Sequence, residues 1–165
     1  MTSEQNLHQS MTQTAAYDGQ PAQLVTLSNK HGMQVTFMDI GATWLSCILP
    51  VKGNQREVLL GVDSMENFQK QASYLGATVG RYANRIANGR FKVDGTGYKL
   101  DANQSGNTLH GGSDGFDKRR WQLTAQTPMS VVYSLVSADG DQGFPGLLNV
   151  SVSYELTEDN RVSIE

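Results

Sequence analysis

Apolar and polar positions alternate in short runs along most of this chain, and glycines or Asn/Asp turns separate the runs. Leu24-Val25-Thr26-Leu27 and Val35-Thr36-Phe37-Met38 read as strands. Residues 43–49 read as a third, with Leu45, Cys47 and Leu49 on one face and Trp44, Ser46 and Ile48 on the other. A turn at Lys52-Gly53-Asn54 leads to a fourth, Glu57-Val58-Leu59-Leu60. Asp94-Gly95-Thr96-Gly97, between Phe91-Lys92-Val93 and Tyr98-Lys99-Leu100, is a hairpin signal, because Asp and Gly accept the positive φ of tight turns. Strands follow at Trp121-Gln122-Leu123 and at 131–136. From 148 to 156 the alternation is complete. Leu148, Val150, Val152, Tyr154 and Leu156 face one way and Asn149, Ser151, Ser153 and Glu155 the other, as in a half-buried antiparallel strand. Glu158-Asp159-Asn160 turns the chain into a last strand from Arg161. Period two with β-branched and aromatic residues predicts an all-β, antiparallel domain.

One stretch departs from that period. Asp63 is placed to cap a helix over 64–71, with Glu66 three residues on and Met65, Phe68 and Ala72 on one face. Residues 1–16 are polar and lack the basic start and apolar core of a signal peptide. They are expected to form a flexible, loosely ordered leader, or else to begin an edge strand, ahead of a single domain over 17–165.

Composition narrows the class. With 38% apolar and 18% charged residues the chain reads as an ordinary globular domain, and its net charge of −3 argues against a nucleic-acid partner. Cys47 is the single cysteine, which rules out an internal disulfide and makes a reducing, cytoplasmic setting the default. No apolar run is long enough to span a membrane as a helix, so no membrane partner is expected.

The chemistry-bearing residues concentrate between Gly80 and Trp121. His110, between Leu109 and Gly111-Gly112, sits where a tight turn projects an imidazole able to donate a hydrogen bond or move a proton near neutral pH. Bonding to a backbone carbonyl is the plainer reading, and local sequence leaves both open. Asn84-Arg85 offers a planar fork of donors beside an amide, a set suited to a polyhydroxylated ligand or to a structural ion pair. Gly111-Gly112-Ser113-Asp114-Gly115 has the spacing of a hydrolase nucleophile elbow, but no buried strand precedes it and no helical stripe follows, so Ser113 reads as a turn residue. Asp139-Gly140-Asp141-Gln142-Gly143 lacks the later oxygen ligands of a calcium loop. Lys118-Arg119-Arg120 reads as a solvated turn. His8, His31 and His110 are too scattered for a metal, and no metal site is expected.

Taken together, Gly80-Arg81-Tyr82-Ala83-Asn84-Arg85-Ile86, Leu109-His110-Gly111-Gly112, Gly115-Phe116-Asp117-Lys118 and residues 139–146 resemble, in order and spacing, four segments of the aldose 1-epimerases, the galactose mutarotases. The resemblance runs from about Gly19 to Glu165. It implies an antiparallel β-sandwich of the galactose mutarotase type, an open cleft for a small-molecule aldose such as galactose or glucose, and no metal or organic cofactor. The implied reaction interconverts α- and β-anomers by acid–base opening and closure of the ring. By resemblance, Asn84, Arg85 and His110 match residues that hold the sugar near its ring oxygen, with His110 assisting catalysis. The family's base is a Glu, and its main acid a His in an N-H-x-x-F-N-L-like segment. This sequence contains neither segment. The expectation is therefore an N-terminal half, truncated before the catalytic pair, inactive alone and prone to self-association. The rival readings are a non-catalytic sugar-binding module on the same fold, a hexose-6-phosphate epimerase using Lys118–Arg120, and an esterase-like hydrolase using Ser113.

Overall fold

The computed structural model describes residues 3–165. In chain order the elements begin with α1 (Ser3–Gln13), β1 (Leu24–Ser28), β2 (Gln34–Met38), β3 (Thr43–Val51), β4 (Asn54–Glu57) and α2 (Met65–Lys70). The middle of the chain carries β5 (Arg85–Ile86), β6 (Arg90–Val93), β7 (Thr96–Lys99) and β8 (Thr108–Leu109). Four strands complete it: β9 (Gln122–Thr127), β10 (Ser130–Ser137), β11 (Leu148–Leu156) and β12 (Val162–Ile164). β1-β2-β3-β4 form one antiparallel meander, β12-β11-β10-β9 a second, and β5-β8 and β6-β7 are two-stranded ribbons.

The two larger sheets pack through alternate side chains. Val25, Leu27, Val35, Phe37 and Cys47 from one meet Val131, Tyr133, Val152, Tyr154 and Leu156 from the other, with Phe116 and Trp121 between. Phe37 stacks on Tyr154 at 4.3 Å, and the Tyr154 hydroxyl donates to the carbonyl of Ala42 at 2.7 Å. The expected β-sandwich is present, with the alternation of β11 read off its burial: Val152, Tyr154 and Leu156 are inside.

The first sheet is covered on its other face too, and this differs from the leader expected over 1–16. Ser3–Gln13 is an α-helix with Met11 fully buried and Leu7 packed on Met38, Ile40, Leu45, Met65 and Phe68. Leu7 and Met11 lie one turn apart and so share a face. The Ser10 hydroxyl accepts the Met65 N–H, and the Met11 carbonyl accepts the Ala22 N–H, both at 3.0 Å. Burying a side chain such as Met11 contributes about 1.5–3 kcal/mol, which docks a helix too polar to persist alone.

Three local expectations shift. The predicted helix at 64–71 is α2, one residue shorter at each end, and Ser64 rather than Asp63 caps it by accepting the Asn67 N–H at 3.2 Å. Ala72 lies beyond that helix and is exposed. The fourth strand occupies Asn54–Glu57 instead of 57–60, because the chain reverses at Lys52-Gly53 and pairs at once, Val51 opposite Asn54. Leu45 and Cys47 do not share a face. Phe37 pairs with Trp44 and Thr36 with Ser46, so Leu45 is the extra residue of a β-bulge and turns to the helices.

Candidate functional site

β5 and β8 are two residues each, and their register sets the site: Arg85 lies opposite Leu109 and Ile86 opposite Thr108. Asn84 and His110 are therefore brought side by side just past the ladder, and they bond reciprocally. The His110 N–H donates to the Asn84 carbonyl, and the Asn84 N–H donates to His110 Nδ1, both at 3.0 Å. An imidazole nitrogen that accepts carries no proton, so in the neutral ring the proton sits on Nε2. No group among the described residues bonds Nε2, which is left as a directed donor. Tyr74 packs on the imidazole at 4.4 Å between centroids. Arg85 is exposed; its Nη1 donates to Asn84 Oδ1 at 3.1 Å and its Nε to Gln104 Oε1 at 2.6 Å. The three residues expected at a site thus stand together.

Gly111 is required where it is. A Cβ there would lie 1.7 Å from the Gly80 carbonyl oxygen. The loop also concentrates uncommon backbone. Tyr74, Asn84, Asn88, Ser105, His110 and Gln142 all have positive φ, between 48° and 67°.

The loops are tied to one another by mostly half-buried polar groups. Arg119 forks onto Asp141, with Nη1 and Nη2 each at 2.5 Å from a carboxylate oxygen, and Ser137 Oγ also donates to Asp141. Arg81 reaches the same place: Nε donates to Ser137 Oγ at 2.8 Å, and Nη1 and Nη2 donate to the carbonyls of Pro145, Ser137 and Ala138. Gln142 Oε1 accepts the Asp114 N–H, and the Gln142 carbonyl accepts the Asp101 N–H. The four segments picked out in the sequence are one hydrogen-bonded assembly. The Arg119 hydrogen bonds, with the Ser137 hydrogen bond and the charges of Arg119 and Arg81, hold the Asp141 carboxyl below the usual carboxylate range, against the effect of burial.

That assembly corrects the reading of Lys118-Arg119-Arg120 as a solvated turn. All three are partly buried and engaged: Lys118 donates to the Ser113 carbonyl, Arg119 to Asp141, and Arg120 to Asp18 and the buried Asp39. Ser113 stands beside Asp101, whose carboxylate accepts its N–H at 2.6 Å, rather than beside a histidine. Asp139 and Asp141 are occupied by the Gly146 N–H and by Arg119. No group of three or more His, Cys, Asp or Glu among the described residues is arranged to hold a metal.

Sequence reasoning missed three contributors. Asn103 acts as a surrogate strand beside β8: its amide donates to the Leu109 carbonyl at 3.0 Å and accepts the Leu109 N–H at 2.7 Å. Gln104 holds Arg85. Asp117 is buried with Oδ1 unbonded, and its burial pushes the carboxyl above its ordinary range, opposed by the charges of Lys118 and His110. The polar turn Asn103-Gln104-Ser105-Gly106-Asn107, lying just before Leu109-His110, was the signal available for the first two.

Residues 23–165 match the family model described as Aldose 1-epimerase. The aldose 1-epimerase of Haemophilus influenzae is 57% identical over 150 residues, covering 91% of this chain and 44% of the relative; that of Escherichia coli K12 is 55% identical over 154 residues, covering 93% and 44%. Bovine galactose mutarotase is 47% identical over 105 residues, 64% of this chain and 30% of its own. Among solved structures, a GalM/aldose epimerase homologue from C. elegans superposes with a TM-score of 0.81 at 34% identity, covering 87% of this chain and 44% of that one. Galactose 1-epimerase from Lactobacillus acidophilus gives 0.77 at 30%, covering 89% and 44%. The chain spans about half the length of the curated relatives it matches, and over that span its sequence and its sandwich agree: it belongs to the aldose 1-epimerase family.

Proposed function

We propose that Asn84, Arg85 and His110 hold an aldose by its ring-oxygen side, and that the whole protein interconverts the α- and β-anomers of galactose, glucose or a similar sugar. The observation that carries this reading is the reciprocal Asn84–His110 pair, which fixes the imidazole and leaves Nε2–H as a donor. In the reaction a base takes the proton from the anomeric hydroxyl, its oxygen forms the C=O double bond, and the bond from C1 to the ring oxygen breaks. The ring oxygen receives a proton from an acid. Rotation about C1–C2 presents the other face of the aldehyde, and the reverse transfers close the ring. A donor fixed before the sugar arrives stabilises charge building on the ring oxygen without reorganising. Arg85 supplies a planar, permanently charged fork beside it.

His110 assists in this scheme. By resemblance to the family, the base and the main acid belong to segments that this sequence does not contain. The commitment of Arg119 and Arg120 to carboxylates favours a free sugar over a hexose 6-phosphate. The single, buried cysteine accords with work in the cytoplasm.

The test is a galactose titration of the chain followed by NMR, into the roughly millimolar range usual for enzymes and their substrates. The expected result is shifts at the Asn84 amide, the Arg85 side chain and His110 Nε2. Binding that leaves all three unmoved would place the sugar elsewhere.

A further inference from the structure

An exposed arginine ordinarily spreads over many rotamers, and fixing one costs free energy at the moment of binding. Arg85 is exposed but is fixed beforehand by a device that lies outside the recognised segments. Residues 104–107 form a two-residue tight turn. Gln104 and Asn107 exchange backbone hydrogen bonds at 3.1 and 2.8 Å, and Ser105 and Gly106 between them have φ of 48° and 85°. Two left-handed central residues make this the type I′ geometry, which is rigid and narrow. Both side chains at its base reach to the facing segment. Gln104 Oε1 accepts the Arg85 Nε–H at 2.6 Å, and Asn107 Oδ1 accepts the Asn88 N–H at 2.9 Å. The turn therefore grips residues 85–88 at both ends, where β5 alone gives only two ladder positions.

The chemistry fixes the orientation of the amide. Arg Nε can only donate, so the oxygen of Gln104 faces it. With Nε on Gln104 and Nη1 on Asn84 Oδ1, two sides of the guanidinium are occupied, and Nη2 has no partner among the described residues. We propose that the 104–107 turn is a clamp that aims the Arg85 fork at the sugar, and that Gln104 is a positioning residue for affinity. This rests on the reading of Arg85 as a sugar-holding group.

Gln104→Leu removes the acceptor at similar volume, and Gln104→Glu keeps an acceptor in place. Two readouts are taken on the wild-type chain and both variants: the order parameter of the Arg85 Nε–Hε bond from 15N relaxation, and the galactose Kd from calorimetry. The order parameter should stay above about 0.6 in wild type and Gln104→Glu and fall below it in Gln104→Leu. Galactose should bind about three- to tenfold more weakly to Gln104→Leu, the range expected for one side chain immobilised on binding, with recovery in Gln104→Glu. A merely structural role would lower the melting temperature without this rescue. An Arg85 bond as ordered in Gln104→Leu as in wild type overturns the clamp. So does disorder with an unchanged Kd. A wild-type chain that orders Arg85 yet binds no galactose overturns the sugar-site reading instead, and with it the purpose given to the clamp.

Discussion

Replacing Asp141 by Asn tests whether the site loops stand on one partly buried ion pair. Asp141 is 11% exposed and its partner Arg119 18% exposed, and two bonds of 2.5 Å join them. Charge-assisted hydrogen bonds contribute about 1.5–3 kcal/mol each, and removing one member of a fully buried pair costs about 3–5 kcal/mol. Two features lower the figure here. Arg119 keeps bonds to the Asp114 carbonyl at 2.6 and 3.1 Å, and its charge stays near the exposed Asp114 carboxylate at 3.4 Å. Asn also retains one acceptor. We expect a loss of about 2–3 kcal/mol at pH 7. With a urea m-value of about 2 kcal/mol/M, the unfolding midpoint should fall by roughly 1–1.5 M. The pH dependence is a second check. The Asp141 carboxyl is held low in the fold, so its stabilisation is complete above the unfolded carboxylate range and is lost as pH falls through the folded value. Wild type and Asp141→Asn should therefore converge in acid. Urea curves at pH 7 that differ by less than about 0.5 kcal/mol, or a gap that persists unchanged in acid, would refute the reasoning.

Other outcomes follow from the site. His110→Asn should weaken galactose binding while leaving the urea midpoint near wild type, since His110 lies on a turn; a large drop in midpoint with intact binding would make it structural. Arg85→Lys should raise the galactose Kd although the charge is kept, because an ammonium cannot hold both Gln104 and Asn84 as a planar fork does; equal Kd values in calorimetry would contradict this. Asp117 faces Tyr17, Tyr74, His110, Asp114, Lys118 and Arg119, and its raised carboxyl favours the protonated form in the fold. Its contribution is thus lost as pH rises, so Asp117→Asn should gain on wild type as pH rises above the unfolded carboxylate value of about 4, and denaturation curves showing the reverse would sink that assignment. Polarimetry should find that the chain does not speed α-galactose equilibration beyond buffer, and acceleration would place the acid–base pair inside this sequence. Light scattering should show association, given sheet edges at β1, β4, β9 and β12 and exposed Val58, Leu60, Leu147 and Ile164; a monodisperse monomer would show that these surfaces are tolerated.

Much of the fold was legible because burial follows the alternation in single strands. Val152, Tyr154 and Leu156 are inside, as their spacing requires. What escaped was set by relations between strands. Leu45 changes face because β2 and β3 slip by one residue, which no single strand records. Val58 and Leu60 read as strand, yet they are exposed past the end of β4. Ser3–Gln13 carries only Leu7 and Met11 as a stripe, too little to mark a helix until the outer face of the sheet is there to receive it. At the candidate site, that Asn84, Arg85 and His110 stand together was legible through their neighbours in ordered segments. Gln104 was not, because it works by bonding Arg85, which only the register of β5 and β8 brings near, and Asn103 was not, because its amide mimics a strand partner for Leu109 across its own turn.

The left-handed residues around the site carry a consequence for how this sequence would drift under selection. A side chain in that conformation costs roughly 1 kcal/mol more than glycine would at the same place. Heat resistance alone would therefore reward glycine at Tyr74, His110 and Gln142, and each such gain would delete a group that the loops use. A library screened only for heat resistance should lose the candidate site one residue at a time while its sandwich grows more robust. A library screened for sugar retention should keep those positions and collect its stabilising changes in the two apolar clusters and the outer helices.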